Sequence, residues 1–244
     1  MYRRQGRLVS SNYLPVSPHL TTSAFNIMLL QVALDIPDAE TIRRLLREIV
    51  FGVDIIEIGT PLLIRYGTSI ISEIKQEYPQ KKILADLKIV DAGAMESRLA
   101  FEAGANIVTV LGTAHQTTLQ NAHEQAKRAG GQIMADLITV PDIDTSVQLA
   151  RTLDSAGMDY ICLHTAYDIQ HQKDSNLDLK KIVQVSEMIH QTGFAVAGGL
   201  NPQSIKHLVR HEPDILVVGE YITKHEEPSL AIRQIRHILE HPLG

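Results

Sequence analysis

Short apolar runs alternate with amphipathic stretches along almost the whole chain. Each run has the length of a buried β-strand, and the stretches between runs repeat their apolar residues with the period of a helix. In the first stretch, Ile42, Leu46 and Ile49 share one helical face. Asp38 stands just before it, where a carboxylate can accept the first unpaired backbone N–H groups of a helix. The pattern therefore predicts alternating strands and helices.

This alternation predicts eight strand–helix units. The predicted strands lie at 28–34, 53–58, 83–88, 106–110, 132–136, 159–164, 194–197 and 214–218. The predicted helices lie at 38–50, 61–78, 92–103, 117–129, 144–155 and 179–191, followed by a short helix after residue 202 and a last helix that ends near residue 239. Residues 167–175 are predicted to form a polar loop.

Strands separated by whole helices cannot pair as hairpins, so they must run parallel through crossover connections. Eight such units in about 210 residues favour a single closed (β/α)8 TIM barrel over residues 27–244. An open doubly wound sheet is the alternative, but no G-x-G-x-x-G sequence follows the first strand. Residues 1–26 are expected to form a short, disordered N-terminal extension.

Composition and charge exclude several classes of protein. The chain is 44% hydrophobic and 21% charged, which is typical of a globular protein. A net charge of −5 without a basic block argues against nucleic acid or an anionic membrane as a partner. Residues 1–26 lack the apolar core of a secretory signal. Cys162 is the only cysteine, so an intramolecular disulfide is excluded, a cytoplasmic location is favoured, and buried strand filler is its predicted role.

The stretch from residue 83 to residue 93 is an apolar run that ends in charged residues. Side chains alternate along a strand, so Asp86 and Lys88 are predicted to point to one side and Leu87 to the other. Two charges on one face of a buried strand must neutralise each other, hold a metal or meet a charged ligand. An ordinary ion pair at the end of a strand is the alternative, and this stretch alone does not decide between them.

Ionisable residues recur at the carboxyl ends of the predicted strands. They are Asp35, Glu57, Asp86, Lys88, Asp136 and His164. In a (β/α)8 barrel the active site lies at this end of the strands, so these side chains are predicted to converge on one mouth. Any one of them is explained as well by a turn or a helix cap. Their recurrence at the same end indicates a site.

The residue types are consistent with one kind of chemistry. Glu57 and Asp86 offer hard oxygen ligands, which suit Mg²⁺ better than zinc. Lys88 beside them is expected to stay protonated and to stabilise a developing enediolate oxygen. Histidine is the side chain best suited to exchange protons at physiological pH, so His164 is the candidate proton shuttle, whereas the other histidines, among them His123, are expected at the surface.

Glycines follow the last two predicted strands. Gly198 and Gly199 come after the seventh strand, and Gly219 comes after the eighth. Glycine lets backbone N–H groups approach an anion, and barrels of this kind often bind phosphate at these two loops. Glycine also ends strands for steric reasons, so glycine alone does not indicate a phosphate site. The position of these glycines after the last two strands does.

Five segments together carry a resemblance to a known enzyme family. They are 54–60, 84–93, 109–113, 159–165 and 197–199, and the second contains the D-x-K-x-x-D motif of Asp86, Lys88 and Asp91. These residues resemble the hexulose-phosphate synthase group of the orotidine monophosphate decarboxylase suprafamily, over about residues 29–239. The resemblance implies a Mg²⁺-dependent aldol condensation of ribulose 5-phosphate with formaldehyde through a 1,2-enediolate, and the reverse cleavage.

The resemblance also implies a role for each matching catalytic residue. Glu57 and Asp86 are implied as the metal ligands and Lys88 as the group that stabilises the enediolate. His164 is implied as the acid and base. Asp91 is implied to reach into the neighbouring subunit's site, which predicts a homodimer with shared active sites.

The residues implied to bind substrate separate this group from its sister enzyme, 3-keto-L-gulonate-6-phosphate decarboxylase. Asp35 and Asp136 are implied to hold sugar hydroxyls, and Tyr167 to line the same site. The sister enzyme typically has Glu in place of Asp136, Arg in place of Tyr167 and Thr in place of Ala197. All three positions favour the synthase. The decarboxylase is one alternative, and a non-catalytic sugar-phosphate-binding barrel is another.

The loop after the eighth strand departs from the family pattern. The synthases normally continue with Gly-Gly, whereas this chain has Gly219 followed by Glu220. A carboxylate that faces a phosphate dianion repels it. We expect Glu220 to turn outward, toward Lys224, and a weakened phosphate site is the alternative.

Overall fold

Eight parallel strands close into a barrel in sequence order, with the first strand paired to the eighth. The computed structural model describes residues 28–170 and 178–242, so the predicted N-terminal extension at 1–26 lies outside the described residues. The predicted TIM barrel is confirmed, and the open sheet is excluded because every strand has a hydrogen-bonded neighbour on both sides. Within the described ranges, no helix combines the length and the apolar character needed to cross a membrane.

The predicted strands are all present, and most of their ends lie within one or two residues of the predicted ends. The strands are β1 Leu29–Leu34, β2 Ile55–Ile58, β3 Lys82–Ile89, β4 Ile107–Leu111, β5 Gln132–Asp136, β6 Tyr160–His164, β7 Gly193–Ala197 and β8 Ile215–Val218. The helices are α1 Ala39–Ile49, α2 Thr60–Tyr66, α3 Ser69–Glu77, α4 Gly93–Glu102, α5 Gln116–Ala129, α6 Ile143–Ser155, α7 Tyr167–Gln170, α8 Leu179–Ser186, α9 Pro202–Leu208, α10 Glu220–Thr223 and α11 Pro228–Glu240.

Two apolar layers hold this fold together. The larger layer lies between the sheet and the helices, and the smaller one fills the barrel. Because side chains alternate along a strand, an interior residue of the smaller layer is followed two positions later by a residue at the mouth. These pairs are Ala33 and Asp35, Ile55 and Glu57, Leu84 and Asp86, Ile107 and Thr109, Met134 and Asp136, and Cys162 and His164.

The predicted helix at 61–78 is wrong as a single element. Pro61 lies in the first turn of α2 as predicted, but the helix ends at Tyr66 and α3 begins at Ser69. Gly67 between them has a φ of 63° and a ψ of −159°, a conformation that stops a right-handed helix and that glycine adopts readily.

The predicted helix at 179–191 is also too long, since α8 ends at Ser186. Asp154 of α6 accepts the backbone N–H groups of His190, Gln191 and Thr192 through its Oδ1 atom. Those N–H groups therefore do not donate to helical carbonyls, and the chain turns toward β7 instead.

Two further predictions of secondary structure need correction. The predicted loop at 167–175 begins with the short helix α7, and its remainder from 171 onward lies outside the described residues. The predicted last helix is divided into α10 and α11, and Pro228 occupies the first turn of α11. Proline has no N–H to donate and therefore suits a helix start.

Close packing of α4 on α5 generates a prediction. A Cβ atom on Gly93 would lie 2.2 Å from the backbone oxygen of Thr118. Gly93→Ala is therefore expected to separate the two helices and to lower the free energy of unfolding by about 1–3 kcal/mol in urea denaturation. Arg98→Ala, on the exposed side of α4, is the control and is expected to change it by less than about 0.5 kcal/mol. Equal effects of the two changes would contradict this account.

Candidate active site at the barrel mouth

The ion pair of Lys88 with Asp86 lies at the centre of the mouth. The Nζ atom of Lys88 contacts Oδ2 of Asp86, and it lies 3.9 Å from Oδ2 of Asp136. Asp86 is buried, and its two oxygens also accept the hydroxyl groups of Thr60 at 2.9 Å and Thr109 at 2.8 Å. The structure thus brings together the two charges that the sequence places near the end of β3.

An irregularity in β3 produces this contact. Lys88 has a φ of 47°, in the left-handed region that side chains other than glycine rarely adopt, and the register with β4 shifts between Ala85 and Ile89. The N–H of Lys88 donates to the Thr109 hydroxyl at 2.8 Å, which holds this conformation in place. Asp86 and Lys88 therefore meet as predicted, but through a bulge and not through regular alternation.

Lys88 is protonated in this surrounding. Burial alone would lower the pKa of its ammonium group, but the charges of Asp86 and Asp136 more than offset burial, so the pKa is raised. The lysine is therefore a fixed positive charge directed at the mouth and not a proton acceptor near neutral pH.

Glu57 lies beside the Lys88–Asp86 pair, and the positive charge near it is too small to compensate its carboxylate. Burial, followed by the charges of Asp86 and Asp35, holds the pKa of Glu57 well above its usual range, although Gln31 Nε2 donates to its Oε2 atom at 2.7 Å. Burial and the charge of Asp86 also raise the pKa of Asp35. The Oε1 atom of Gln31 is buried and has no hydrogen-bond partner among the described residues.

These features suit a hard divalent cation. Carboxylate and amide oxygens are the ligands that Mg²⁺ accepts. The pKa of Glu57 is raised mainly by burial and then by the charges of Asp86 and Asp35, and a cation at this point would favour the ionised carboxylate. Glu57 and Asp86 are the residues that would hold it, with the amide oxygen of Gln31 nearby as a further hard donor. The pair predicted as metal ligands is thus brought to one mouth.

Asp136 and His164 form a second group on the adjacent strands β5 and β6. Asp136 Oδ2 lies 2.9 Å from Nδ1 of His164, and its Oδ1 accepts the N–H of Ile138 at 2.9 Å. A carboxylate on Nδ1 fixes the ring orientation and directs Nε2 away from it. Asp136 thus orients the histidine, a contact that the sequence did not suggest.

The glycines after β7 are required by the backbone. Gly198 has a φ of 100° and Gly199 a φ of 68°, and a Cβ atom on Gly198 would lie 2.3 Å from the backbone oxygen of Thr165. Gly219 differs, because its φ is −103° and a Cβ atom there would make only ordinary contacts with Ala33 and Asp35. The loop after β7 therefore needs glycine, whereas the loop after β8 merely accommodates it.

Tyr167 and Glu220 meet across the rim of the mouth. The hydroxyl of Tyr167 donates to Oε1 of Glu220 at 3.0 Å, and Lys224 one turn along the chain pairs with the same carboxylate. The expected contact with Lys224 is confirmed. The bond to Tyr167, however, keeps Glu220 next to a residue predicted to line the substrate site, and its charge still raises the pKa of Asp35.

Asp91 lies outside this cluster. It is exposed, and the contact that the structure gives its side chain is with the N–H of Ala92, at 2.7 Å. Around it the surface is apolar, with Val90 62% exposed, Met95 55% and Leu99 49%. Among the described residues, no hydrogen bond or ion pair joins Asp91 to the mouth of its own chain, which is compatible with the predicted role in a neighbouring subunit.

Several residues that shape the site were not predicted from the sequence. Gln31, Thr60 and Thr109 contact the acids, and only the alternation of β1 and β4 could have directed attention to Gln31 and Thr109. The expectation for His123 is wrong, because it is buried on α5, with Nε2 3.6 Å from Asp159 Oδ2.

A (β/α)8 barrel whose mouth gathers buried carboxyl groups, a protonated lysine and an oriented imidazole has the composition of an enzyme active site. The sequence model described as "Orotidine 5'-phosphate decarboxylase / HUMPS family" matches residues 28–235. The chain belongs to this family, and the predicted resemblance is confirmed.

Two relatives with similar sequences belong to one branch of this family, the 3-hexulose-6-phosphate synthases. A protein of Bacillus subtilis named 3-hexulose-6-phosphate synthase is 35% identical over 212 residues, which cover 87% of this chain and 99% of the relative. One of Staphylococcus epidermidis with the same name is 38% identical over 213 residues, with the same two coverages of 87% and 99%.

Solved structures of similar fold come from both enzymes of the group. The 3-hexulose-6-phosphate synthase of Salmonella typhimurium superposes with a TM-score of 0.82 at 38% identity and covers 88% of this chain and 100% of its own. The enzyme KGPDC from Streptococcus mutans superposes with a TM-score of 0.81 at 25% identity and covers 89% of this chain and 100% of its own.

The raised pKa of Glu57 predicts a stability trend in the metal-free protein. A carboxyl whose pKa is higher in the folded than in the unfolded chain contributes stability that is complete below the unfolded value and is lost as pH rises toward the folded value. Glu57→Gln cannot ionise, so its thermal unfolding midpoint is expected above that of the wild type at about pH 8, with the gap closing toward about pH 4–5.

The control for this comparison is Glu48→Gln, at an exposed position of α1, which is expected to leave the midpoint unchanged. Both variants are measured with chelator present. A Glu57→Gln protein that is less stable than the wild type at every pH would show that the buried carboxylate is compensated.

Proposed function

We propose that this chain is a 3-hexulose-6-phosphate synthase, which condenses ribulose 5-phosphate with formaldehyde in a Mg²⁺-dependent aldol reaction and catalyses the reverse cleavage. The observation that supports it most is the mouth itself, where the Lys88–Asp86 pair of the family motif lies beside the oriented His164. The names of the relatives along most of the chain support the same reaction. Asp136, Tyr167 and Ala197 favour it over the decarboxylase.

Glu57 and Asp86 are the proposed metal ligands. The chemistry that Mg²⁺ supplies when bound there is stabilisation of negative charge on substrate oxygens. The chain's own contribution to that charge is the ammonium group of Lys88, which is already protonated and paired with Asp86 before substrate arrives, while Thr109 accepts the backbone N–H of the same residue. A preorganised charge needs no rearrangement as the enediolate forms, which is what makes electrostatic catalysis effective.

His164 is the proposed acid and base. The condensation removes one proton from C1 of ribulose 5-phosphate and delivers one to the oxygen of formaldehyde, so a single group that carries a proton between the two suffices. The carboxylate of Asp136 holds Nδ1 at 2.9 Å, which leaves Nε2 as the atom that exchanges this proton. Asp136 thereby has a positioning role besides its proposed contact with a sugar hydroxyl, which Asp35 shares.

The loops after β7 and β8 are the proposed phosphate site. Gly198 and Gly199 have left-handed backbone conformations, of the kind from which anion-binding turns of successive N–H groups are built. Glu220 does not add a net negative charge here, because Lys224 pairs with it. A neutral pair at the rim is compatible with a phosphate dianion, whereas an isolated carboxylate would repel it.

A homodimer with shared sites is the proposed assembly. Asp91 is exposed and surrounded by Val90, Met95 and Leu99, an apolar surface that a second copy would cover. This arrangement lets Asp91 complete the partner's mouth. The cytoplasm is the proposed location, because a chain whose one cysteine is buried needs no oxidising compartment.

The first test is turnover. The wild type with Mg²⁺ is expected to consume ribulose 5-phosphate only when formaldehyde is added, as followed by the loss of formaldehyde. CO₂ release from 3-keto-L-gulonate 6-phosphate without this reaction would assign the decarboxylase instead. Binding of ribulose 5-phosphate without either turnover would assign the non-catalytic barrel.

Two variants in the same assay examine the phosphate loop. Glu220→Gly leaves the ammonium group of Lys224 uncompensated, so the KM for ribulose 5-phosphate is expected to fall, with little change in kcat. Lys224→Ala leaves the carboxylate uncompensated, and its KM is expected to rise several-fold with little change in kcat. An unchanged KM in both variants would show that the Glu220–Lys224 pair does not act on the phosphate.

The second test addresses the shared site. Lys88→Ala and Asp91→Ala are each expected to lose activity by about 100-fold or more. When the two inactive proteins exchange subunits at random, half of the dimers are mixed and each has one intact site, so about a quarter of wild-type activity is expected to return. Lys82→Ala removes an exposed lysine of the same strand, and this control is expected to keep wild-type activity. Mixed dimers without activity would show that each site is self-contained.

A further inference from the structure

Cys162 lies directly behind the proposed proton shuttle. It is paired in register with Asp136 of the neighbouring strand, and it precedes His164 by two residues on the same face of β6. Its side chain belongs to the layer that fills the barrel, as the prediction of strand filler implied. Strand filler does not account for what lies around it, since the thiol shares its space with an imidazole and a carboxylate.

The three side chains present one ligand atom each to a common point. The sulfur of Cys162, a ring nitrogen of His164 and a carboxylate oxygen of Asp136 all lie within 4.8 Å of one another. Around a tetrahedral zinc ion such atoms are about 3–4 Å apart, given bond lengths of about 2.0–2.3 Å. Small rotations of the side chains therefore bring all three into a coordination sphere.

This ligand set differs in kind from the hard-oxygen pair of Glu57 and Asp86. Thiolate and imidazole select borderline and soft ions such as Zn²⁺ and Cd²⁺, whereas Mg²⁺ takes oxygen ligands. Asp136 and His164 lie at the mouth, where Lys88 Nζ approaches Asp136 Oδ2 to 3.9 Å. The His164 side chain is 20% exposed, whereas Cys162 is buried behind it.

We propose that Asp136, Cys162 and His164 form a second metal site, specific for Zn²⁺ and Cd²⁺, that inhibits the enzyme when it is occupied. Binding displaces the thiol proton to solvent, one proton per ion, and involves no change of oxidation state. The ion takes His164 away from proton transfer and Asp136 away from His164. The inhibitory part rests on the proposed function, whereas the binding part does not.

The single cysteine makes binding directly observable. Cd²⁺ is titrated into the purified full chain at saturating Mg²⁺, and the ultraviolet charge-transfer absorption of a cadmium thiolate is recorded. Any such band must come from Cys162, since the chain has no other cysteine. One Cd²⁺ per chain is expected at saturation. Cys162→Ser, similar in size and with a hard oxygen in place of sulfur, is expected to show no band.

The other two ligands are examined by the same signal. His164→Gln and Asp136→Asn are expected to keep the band but to weaken Cd²⁺ binding about tenfold or more. Circular dichroism confirms that each variant is folded, and Cys162→Ala serves if the serine variant is not. No band in the wild type, or a Cd²⁺ affinity that neither His164→Gln nor Asp136→Asn lowers, would overturn the site.

Inhibition of turnover is measured in a separate experiment. Zn²⁺ at saturating Mg²⁺ is expected to stop formaldehyde-dependent turnover of the wild type, and Cys162→Ser is expected to need at least about tenfold more Zn²⁺ for the same effect. Equal sensitivity of the two proteins would overturn the inhibitory role. A wild type that binds Cd²⁺ through Cys162 but turns over no substrate would refute the proposed function and leave the metal site established.

Discussion

The mouth of this barrel gathers more carboxyl groups than cationic side chains, and the ion pair of Lys88 with Asp86 is the contact on which the local structure depends. Asp35, Glu57, Asp86 and Asp136 surround one ammonium group, that of Lys88. The lysine reaches Asp86 only because β3 bulges and places it in a left-handed conformation that the Thr109 hydroxyl supports. Strain and buried charge at one place, with a regular apolar barrel beneath it, are typical of a binding or catalytic site.

The apolar barrel makes this arrangement tolerable. Two continuous apolar layers provide the burial that stabilises the fold, which offsets the cost of burying carboxyl groups at the mouth. Asp35 and Glu57, whose pKa values are raised mainly by burial, contribute to that cost near neutral pH. Stability and function therefore depend on different layers of the same strands, two residues apart.

The rim carries the features that distinguish this chain within its family. Glu220 stands where the synthases normally have glycine, yet Tyr167 and Lys224 bind its carboxylate, so the departure does not leave an isolated charge in the loop after β8. Asp91 is exposed, and so are the apolar side chains of Val90, Met95 and Leu99 that follow or precede it in the chain. Cys162 shows the opposite case, a residue that looks like filler in the sequence and lies beside two polar side chains in the barrel.

The sequence by itself determined the barrel, the strand order and most of the ionisable residues at the mouth, because alternating strands and helices specify parallel crossovers and the two-residue period of a strand fixes side and depth locally. β5 begins and ends where predicted, at Gln132–Asp136, for this reason. The helices were predicted less well wherever the partner of a backbone N–H was remote, as when Asp154 accepts the N–H groups after α8. Only closure of the barrel decided which side chains meet. Asp136 contacts His164, Gln31 contacts Glu57, and Cys162 lies beside Asp136. These are contacts between neighbouring strands, and no pattern along one strand specifies the atoms of its neighbours.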